Sequence, residues 1–487
     1  MIRARALLLA TAALSACTVG PDYRPRTAME LGVPDAYSVP AGPTPEDLTR
    51  WWTRFNDPLL SQVVEQAAAE NTDIAQAVGR LRQAREALRQ SRADLLPTVG
   101  TSAGYQRNEN LRGGGRSFTL PDGTVVDTGG GGSNSFSLGL SGSYQVGIFG
   151  EIRRSVEASN AEYAASGYDY ATVLLSVESE AARNYVLARG FQAQIANARA
   201  SLALQDDNLE IAGFRVQAGL VSSLDREQAR SQRAQTAATI PQLEQQYNAA
   251  VSRLGVLTGQ APGALKTALA APRPIPVGPA SIGIGFPADT LRQRPDVRAA
   301  ERALAAATAS IGVAKAQLYP ALAIQGNINT NATSIGGIGE AITGALFAGL
   351  TQAIFNGGRL RSQVRGAEAA ADTALAAYRG TVLNALEDVE VAAFALTSAQ
   401  AREREFAVAL DAANISAVLS RSQYRAGLTD FTTLNQQEAA LLNARNGLTQ
   451  ARADAASAQV ALFVALGGGW DATTIPEAPP SAQNGTR

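Results

Sequence analysis

Apolar and polar residues alternate along four segments of the chain, and this period of two predicts β-strands. In the clearest segment, residues 135–146, apolar side chains at even positions oppose serine and glutamine at odd positions. The segments 98–106 and 322–329 show the same alternation, whereas 345–355 alternates poorly and is assigned from an internal repeat. Each segment is about 10 residues long, the length of a tilted strand that crosses a bilayer.

Two interpretations of these strands fit the alternation. Two half-buried hairpins on a soluble sheet have the same period as membrane strands. The polar face, however, consists of serine, asparagine, glutamine and glycine instead of charged residues. A water-filled lumen tolerates such a face, so the pattern favours strands that line a pore.

Two long stretches without proline, 122–240 and 321–475, predict helices of unusual length. A helix over 150–217 would measure about 100 Å at 1.5 Å per residue, and so would a helix over 358–425. In the second, apolar residues recur at steps of four and three, and two successive steps of four around Tyr378 make a stutter. This mostly alanine seam consists of Leu360, Val364, Ala367, Ala371, Ala374, Tyr378, Val382, Ala385, Val389, Ala392, Leu396 and Ala399.

The chain is an internal duplication. Residues 150–218 and 358–426 run in step at a separation of 208, and matching segments upstream lie 223 apart. The difference reflects an insertion of about 15 residues in the Gly-rich loop 107–134, where an exposed loop tolerates extra length. A repeat of this size implies a duplicated fold with a pseudo-twofold axis inside one protomer.

The amino terminus has the architecture of a bacterial export signal. Two arginines precede the apolar run 6–14, which is too short to span a bilayer as a helix. Leu14-Ser-Ala-Cys17 resembles a lipobox, so we expect cleavage before Cys17 and acylation of this cysteine. The alternative is an ordinary signal peptide followed by an incidental cysteine. Thr18 after the cysteine favours sorting to the outer membrane, by resemblance to sorted lipoproteins.

These features predict a division of the chain. It comprises a signal peptide (1–16), a lipidated extended segment (17–50), a first repeat (51–261), a Pro-rich crossover (262–287), a second repeat (288–468) and a disordered tail (469–487). The first repeat contains a helix, a hairpin (98–146), a long helix (150–217) and a returning helix (223–257). The second contains a helix, a hairpin (321–355), a long helix (358–425) and a returning helix (430–466).

The ends of the long helices carry recognisable stop and start signals. Gly219 and Gly427 each follow a basic last turn, as at a helix carboxyl terminus. Ser223 and Asp430 are then the expected amino-terminal caps of the returning helices. The two helix pairs are therefore predicted to be antiparallel hairpins.

Composition removes several classes of function. The net charge is −1 and no basic face stands out, so a nucleic-acid partner is not expected. The chain has no histidine and one cysteine, which excludes a histidine-based triad, a histidine metal site and an intrachain disulfide. The acidic group Glu387, Asp388 and Glu390 could resemble a general acid and base. Without a nucleophile or metal ligand beside it, we interpret it as a solvated helix face, and expect no catalysis and no cofactor.

Four strands cannot close a barrel, and an open sheet edge in lipid would leave backbone groups without partners. Closure must therefore come from several chains. Three copies would give 12 strands, an even number within the usual range for membrane barrels.

Several motifs together resemble the outer-membrane efflux protein family, specifically the lipoprotein branch that serves resistance-nodulation-division pumps. The motifs are Cys17-Thr-Val-Gly-Pro-Asp-Tyr23, Trp51-Trp52 with Phe55 and Asp57, Leu291-Arg-Gln-Arg-Pro-Asp-Val297, Ile354-Phe-Asn-Gly-Gly-Arg359 and Tyr424-Arg-Ala-Gly427. The resemblance implies a mainly α fold with membrane β-strands. In it, a duplicated protomer forms a trimeric 12-stranded β-barrel that is continued by a 12-helix periplasmic α-barrel.

The same resemblance implies a function and partners. The expected protein is a homotrimeric outer-membrane exit duct that works with a periplasmic adaptor and an inner-membrane pump, anchored to outer-membrane lipid through Cys17. Its helix ends would close into an aperture at 215–225 and 425–435. Asp430, with Arg425 as a possible partner, is the candidate for an acidic ring there, and Asp225 and Arg215 are further candidates. The alternative is that Asp430 only caps a helix and Arg425 only complements the helix dipole. Where family members often carry Asp, this chain has Asn435.

Other functional classes remain alternatives. A duct for type I protein secretion would differ mainly in its partner, and the lipid anchor favours efflux. A periplasmic adaptor of coiled-coil type, which forms no pore, would show one hairpin instead of two. An enzyme on a helical scaffold would need a catalytic constellation, which the sequence lacks.

Overall fold

The computed structural model describes residues 18–39, 48–109, 116–128 and 132–473, which belong to two compact units. One unit combines the segment that ends at Arg24 with Ala84–Glu162 and Ala303–Ala374. The other combines Pro25–Gln83, Tyr163–Arg302 and the segment that begins at Leu375. Cys17, the predicted signal sequence before it and the tail after Thr473 lie outside the described residues.

Long helices dominate the described residues. The α-helices are α1 (Pro58–Glu70), α2 (Thr72–Ala93), α3 (Glu151–Gln217), α4 (Ser223–Leu257), α5 (Lys266–Leu269), α6 (Pro287–Gln293), α7 (Pro295–Ala316), α8 (Arg359–Arg425) and α9 (Phe431–Ala465). The strands are β1 (Thr98–Asn108), β2 (Arg116–Thr119), β3 (Val125–Thr128), β4 (Ser133–Val146), β5 (Ala321–Ala332) and β6 (Ile342–Thr351). Among the described residues, no helix is long and apolar enough to cross a membrane.

A four-stranded antiparallel sheet, in the order β1-β4-β5-β6, forms the centre of the first unit. Its register places Tyr105 opposite Phe136, and Leu140 opposite Ile328, so that the large apolar side chains of the four strands share one face, with the exception of Phe347. Strand β6 ends at Thr351, and the residues up to Phe355 that we assigned to it lie beyond its end. The loop 107–134 also contains a short hairpin, β2 and β3, that its Gly-rich sequence did not indicate.

The segment that follows Cys17 is fixed to the start of α3 within this unit. The backbone N–H of Val19 donates to the carbonyl of Phe149 at 3.2 Å. Arg154 is 5% exposed and donates to the carbonyls of Val19 and Gly20, each at 3.4 Å, and to Asp22 at 2.6 Å. A buried guanidinium with carbonyl and carboxylate partners holds a short extended segment in one conformation.

The second unit has a core in which aromatic side chains pack around Trp51. The Trp51 ring is fully buried and stacks on Phe463, with ring centroids 5.7 Å apart. Alanines of the predicted seam lie in this core or beside it, including Ala385 and Ala392. Small side chains allow the long helices to approach closely, which explains the alanine content of the seam.

The duplication is visible in the hydrogen bonds of this unit. Asn71 caps α2 and donates from its amide Nδ2 to the carbonyl of Leu257, at the end of α4, at 2.9 Å. At the equivalent position Arg294 donates from Nη1 to the carbonyl of Ala465, at the end of α9, at 3.3 Å. In each repeat, a side chain at the start of the helix before the β-hairpin (α2 or α7) therefore binds the end of the returning helix (α4 or α9).

Part of the predicted tail is packed instead of disordered. Trp470 is 5% exposed, contacts Tyr168 edge to face at 5.8 Å and donates from its indole N–H to the carbonyl of Gln293 at 3.1 Å. The preceding Gly467 and Gly469 have φ values of +79° and +92°, which glycine adopts without strain. The tail prediction was wrong for Gly469 and Trp470, because a single buried indole outweighs the polar composition around it.

Candidate functional site

Matching turns end α3 and α8. Gly219 and Gly427 have φ values of +70° and +75°. After each glycine, the N–H of the following leucine returns to the carbonyl five residues earlier, at 2.9 Å in both turns. This pattern is the Schellman motif, and it requires a residue that tolerates left-handed backbone. The two glycines thus occupy the turns at which we placed them.

The caps of the returning helices also match between the repeats. Asp430 caps α9, where its carboxylate accepts the N–H of Thr433 at 2.7 Å. The cap of α4 is Ser222, which accepts the N–H of Leu224 at 3.2 Å. Our assignment of Ser223 was wrong by one residue. The repeat could have identified the cap, because 430 − 208 = 222.

Arg215 links the two helical hairpins, the first formed by α3 and α4 and the second by α8 and α9, at the ends where their helices turn. Its Nη1 donates to the carbonyl of Tyr424 at 2.9 Å, and its guanidinium carbon lies 4.7 Å from the centre of the Tyr424 ring. The same carbonyl accepts the N–H of Gly427, so the arginine and the turn share one acceptor. A cation at a helix carboxyl terminus is stabilised by the helix dipole as well as by the ring.

Tyr424 is the centre of a small cluster to which all four long helices contribute. Its ring is 1% exposed and packs edge to face on Phe431, with centroids 5.9 Å apart. The cluster also includes Ala212, Ala229 and Leu434. The Tyr424 hydroxyl has no hydrogen-bond partner within the described residues, and burial raises its pKa. Sequence reasoning recognised Tyr424 in a motif but did not assign it to the site.

The link between Arg215 and Tyr424 occurs once per protomer. At the separation of 208, Arg215 corresponds to Gln423, and Tyr424 corresponds to Val216. The equivalent contact between positions 423 and 216 would therefore have neither a cation nor an aromatic ring. The two hairpins are alike in fold, but they differ at this contact.

The remaining predicted residues are placed as follows. Arg425 is exposed, and the described residues contain no ion pair between it and Asp430. Asp225 lies in the first turn of α4 and is half-buried, close enough to raise the pKa of Tyr424 by its charge. The backbone hydrogen bond from Thr433 lowers the pKa of Asp430, which holds this exposed carboxylate in its charged form. The structure thus shows Asp430 as a cap, and its membership of an acidic ring stays a prediction.

The acidic group on α8 has structural partners. Asp388 pairs with Arg294 at 2.9 Å, and Glu390 accepts the backbone N–H of Ser38 at 2.8 Å. Glu387 and Asp388 are exposed, as on the solvated face that we expected, but Asp388 is also paired, and Glu390 is half-buried. Asp388 and Glu390 fix the amino-terminal segment and the start of α7 to α8.

Two variants of Asp430 separate its role as a cap from a role of its charge. Asparagine caps helices as well as aspartate does, whereas alanine does not. We expect Asp430→Asn to leave the conductance of the reconstituted protein unchanged but to weaken its response to divalent cations. We expect Asp430→Ala to weaken that response and also to raise conductance. A divalent response in Asp430→Asn equal to that of the wild type would remove this carboxylate from the aperture.

The described fold, with a two-faced antiparallel sheet and two long helical hairpins, is that of outer-membrane channels with a helical periplasmic portion. The sequence profile of the outer membrane efflux protein family matches residues 63–260 and 286–468. The chain therefore belongs to the outer membrane efflux protein family, and it is an outer-membrane channel for efflux.

Individual relatives match along most of their length. Nodulation protein T of Rhizobium leguminosarum bv. trifolii is 30% identical over 469 residues, which are 94% of this chain and 96% of that protein. The pyoverdine export outer membrane protein OpmQ of Pseudomonas putida is 33% identical over 430 residues, 87% of this chain and 88% of that protein. Among solved structures, the outer-membrane channel OprN has a TM-score of 0.82 at 33% identity, covering 93% of this chain and 100% of that chain.

Proposed function

We propose that three copies of this chain assemble into a passive exit duct that conducts small molecules, such as drugs, across the outer membrane to the exterior. The observation that carries this proposal is the sheet, which has one apolar face, one polar face and two free edges. In the described residues, the outer edges of β1 and β6 pair with no other strand. Lipid does not tolerate unpaired strand edges, so each edge needs a partner from another copy.

The two faces of the sheet support closure into a barrel with lipid outside and water inside. Its apolar face exposes large side chains: Leu138, Leu140, Ile328 and Leu346 are between 45% and 81% exposed in one chain. Its other face carries serine, threonine, asparagine and glutamine. Three sheets of four strands would give 12 strands with the apolar face toward lipid and the polar face toward a water-filled lumen.

The helix α8 supports the same assembly. Besides its buried seam it has a second apolar stripe that no other part of the described residues covers. The stripe consists of Val391, Phe394, Val408, Ile415 and Leu419, each more than half exposed. Steps of three, four, seven and fourteen place these residues on one helix face, as in a coiled-coil interface. A neighbouring copy is the partner that would cover this stripe in each protomer.

The energy for transport would come from elsewhere. The resemblance to efflux channels supports an inner-membrane pump of the resistance-nodulation-division class and a periplasmic adaptor as partners. The hairpin ends expose Phe214, Leu220, Leu224 and Leu428, which are 59–79% exposed and suit an apolar docking partner such as the adaptor. OpmQ is named for the export of a small molecule class, pyoverdine, and we extend small-molecule export to this chain.

The mature chain would be anchored by acylated Cys17. The first described residues after it are held by Arg154 and Phe149, which supports an ordered segment following the proposed anchor. Two membrane attachments, acyl chains and strands, hold a protein at a bilayer more firmly than one.

Purified protein tests the proposal in three measurements. We expect sedimentation of a trimer in detergent, discrete conductance steps in planar bilayers, and a mass of the amino-terminal peptide that corresponds to acylated Cys17. A monomer that gives no current would favour the adaptor class over a channel. An unmodified Cys17 in a conducting trimer would contradict the anchor alone.

A further inference from the structure

The polar face of the four-stranded sheet has a single bulky apolar exception, Phe347. The register aligns Thr98 with Ser143, Ser143 with Gln325, and Gln325 with Phe347, so all four side chains share this face. The other residues of β6 on the same face are Thr343, Ala345, Gly349 and Thr351. Through the described residues of the four strands, this face otherwise carries threonine, serine, asparagine, glutamine, alanine and glycine.

The opposite face of β6 follows the ordinary pattern. Ile342, Leu346 and Leu350 alternate there with Gly344 and Ala348. The strand therefore alternates normally, and it looked irregular in the sequence because Phe347 interrupts the polar positions. Its side chain lies on the face that the assembled channel turns toward water.

The edge of the Phe347 ring lies over Gly349 of its own strand. A Cβ atom built on Gly349 would be 2.5 Å from the ring carbons Cε1 and Cζ, so the ring occupies the space that a side chain at 349 would need. Residues 347 and 349 point to the same face, which places the ring over the glycine backbone. One edge of the ring is thus against the wall, and Phe347 is still 61% exposed in the single chain.

A structural explanation accounts for only half of this arrangement. An aromatic ring over a strand glycine shields the backbone and stabilises the strand. That role explains the contact with Gly349, but it does not require so much of the ring to be exposed. A large apolar surface exposed among polar side chains marks a place where another apolar group binds.

We propose that Phe347 is a contact site for planar aromatic solutes inside the lumen. This inference rests on the proposed trimeric channel, in which symmetry places three such rings at one level of the wall. Planar aromatic groups stack on an open ring face, and cationic ones gain a further attraction from its π electrons. A weak site of this kind suits a duct, because cargo must leave as readily as it enters.

Adjacent cysteine variants test which face Phe347 occupies. Cys17 is the only cysteine in the sequence, so a new thiol can be compared directly with the wild type. In planar bilayers, a charged methanethiosulfonate reagent should lower the current of Phe347→Cys in up to three steps. The matched control Leu346→Cys, on the lipid-facing side, should not respond. Unmodified current through Phe347→Cys would overturn the inference.

Block by an aromatic cation tests binding itself, with ethidium as the probe. We expect ethidium to block the wild-type current, and Phe347→Ser to raise its apparent dissociation constant about three- to tenfold. Phe347→Leu keeps an apolar side chain without an aromatic face and should weaken block similarly, whereas Phe347→Tyr should retain it. Equal block in the wild type and Phe347→Leu would overturn the site. A wild-type protein that gives no current would instead contradict the proposed channel.

Discussion

Replacing Glu178 with glutamine is expected to remove most of the pH dependence of stability between pH 4.5 and 9. Glu178 is 2% exposed on α3, and burial raises its pKa to about 9 from an ordinary value of 4.5. Its Oε2 has no hydrogen-bond partner within the described residues, and no cation contributes to the shift. A buried carboxyl without a partner is stable only in its neutral form.

The sign follows from proton uptake. Between pH 4.5 and 9 the folded protein holds a proton on Glu178 that the unfolded chain has released. Below pH 4.5 the carboxyl is neutral in both states, so its burial carries no ionisation cost. As the pH rises toward 9, the free energy of unfolding falls. The slope is about 1.4 kcal/mol for each pH unit, so the carboxyl costs on the order of 3 kcal/mol at pH 7. The glutamine variant is neutral at every pH and avoids this cost.

Thermal unfolding of the detergent-solubilised protein across this pH range measures the effect. The wild type and Glu178→Gln should unfold at similar temperatures near pH 4.5, and the variant should become increasingly more stable above it. Glu180→Gln is the matched control, because Glu180 is two residues further along α3 and pairs with Arg253 at the surface. Its loss should cost less than about 1 kcal/mol. Parallel pH profiles for the wild type and Glu178→Gln would contradict this account.

The environment of Glu178 shows why the sequence could not reveal it. A Cβ atom on Gly469 would collide with its carboxylate oxygen, so the carboxyl is enclosed by a glycine almost 300 residues away in the chain. Neither residue looks unusual locally. Helical periodicity predicts which face of α3 is buried, but it does not show that one position on that face is a carboxyl without a partner.

The sequence predicted best those features that repeat along the chain. The strands, long helices and glycine turns each have a period or a stop signal. The duplication also allows a strand with a weak pattern, such as β6, to be assigned from its clear counterpart in the first repeat. Trp470 was missed because its burial depends on single contacts instead of a pattern, whereas Ser222 was missed although the separation of 208 aligns it with Asp430. The link between Arg215 and Tyr424 was missed for the opposite reason. It breaks the repeat, so comparing the two copies gives no indication that these positions meet.

This broken symmetry suggests how the hairpin ends are held. Within each hairpin, ion pairs such as Arg233 with Asp206 and Arg402 with Asp454 join the two helices. Between the hairpins, α3 and α9 contact through neutral amides, as where Gln194 donates to Gln450 at 3.2 Å and Asn197 to Asn446 at 3.3 Å. Neutral hydrogen bonds are about half as strong as charge-assisted ones. Arg215 therefore adds a charge-assisted contact between the hairpins to these neutral hydrogen bonds and to the apolar cluster around Tyr424.

Replacing Arg215 with leucine is expected to raise the conductance of the reconstituted channel several-fold. The substitution removes a charge-assisted hydrogen bond and a cation–π contact, together worth about 2 kcal/mol in each protomer. A change of 1.4 kcal/mol shifts an equilibrium tenfold, so hairpin ends that are mostly packed together would separate far more often. Single-channel recording in planar bilayers measures the open fraction and the conductance directly.

Two further variants distinguish this link from general damage to the hairpin ends. Arg215→Lys keeps the charge near the Tyr424 carbonyl but loses the planar group over the ring, so its conductance should lie between the wild type and Arg215→Leu. Tyr424→Phe should behave as the wild type, because the arginine binds the backbone carbonyl and the ring, and the hydroxyl has no partner in the described residues. Wild-type conductance in Arg215→Leu, or an open channel in Tyr424→Phe, would show that contacts other than this one keep the hairpin ends together.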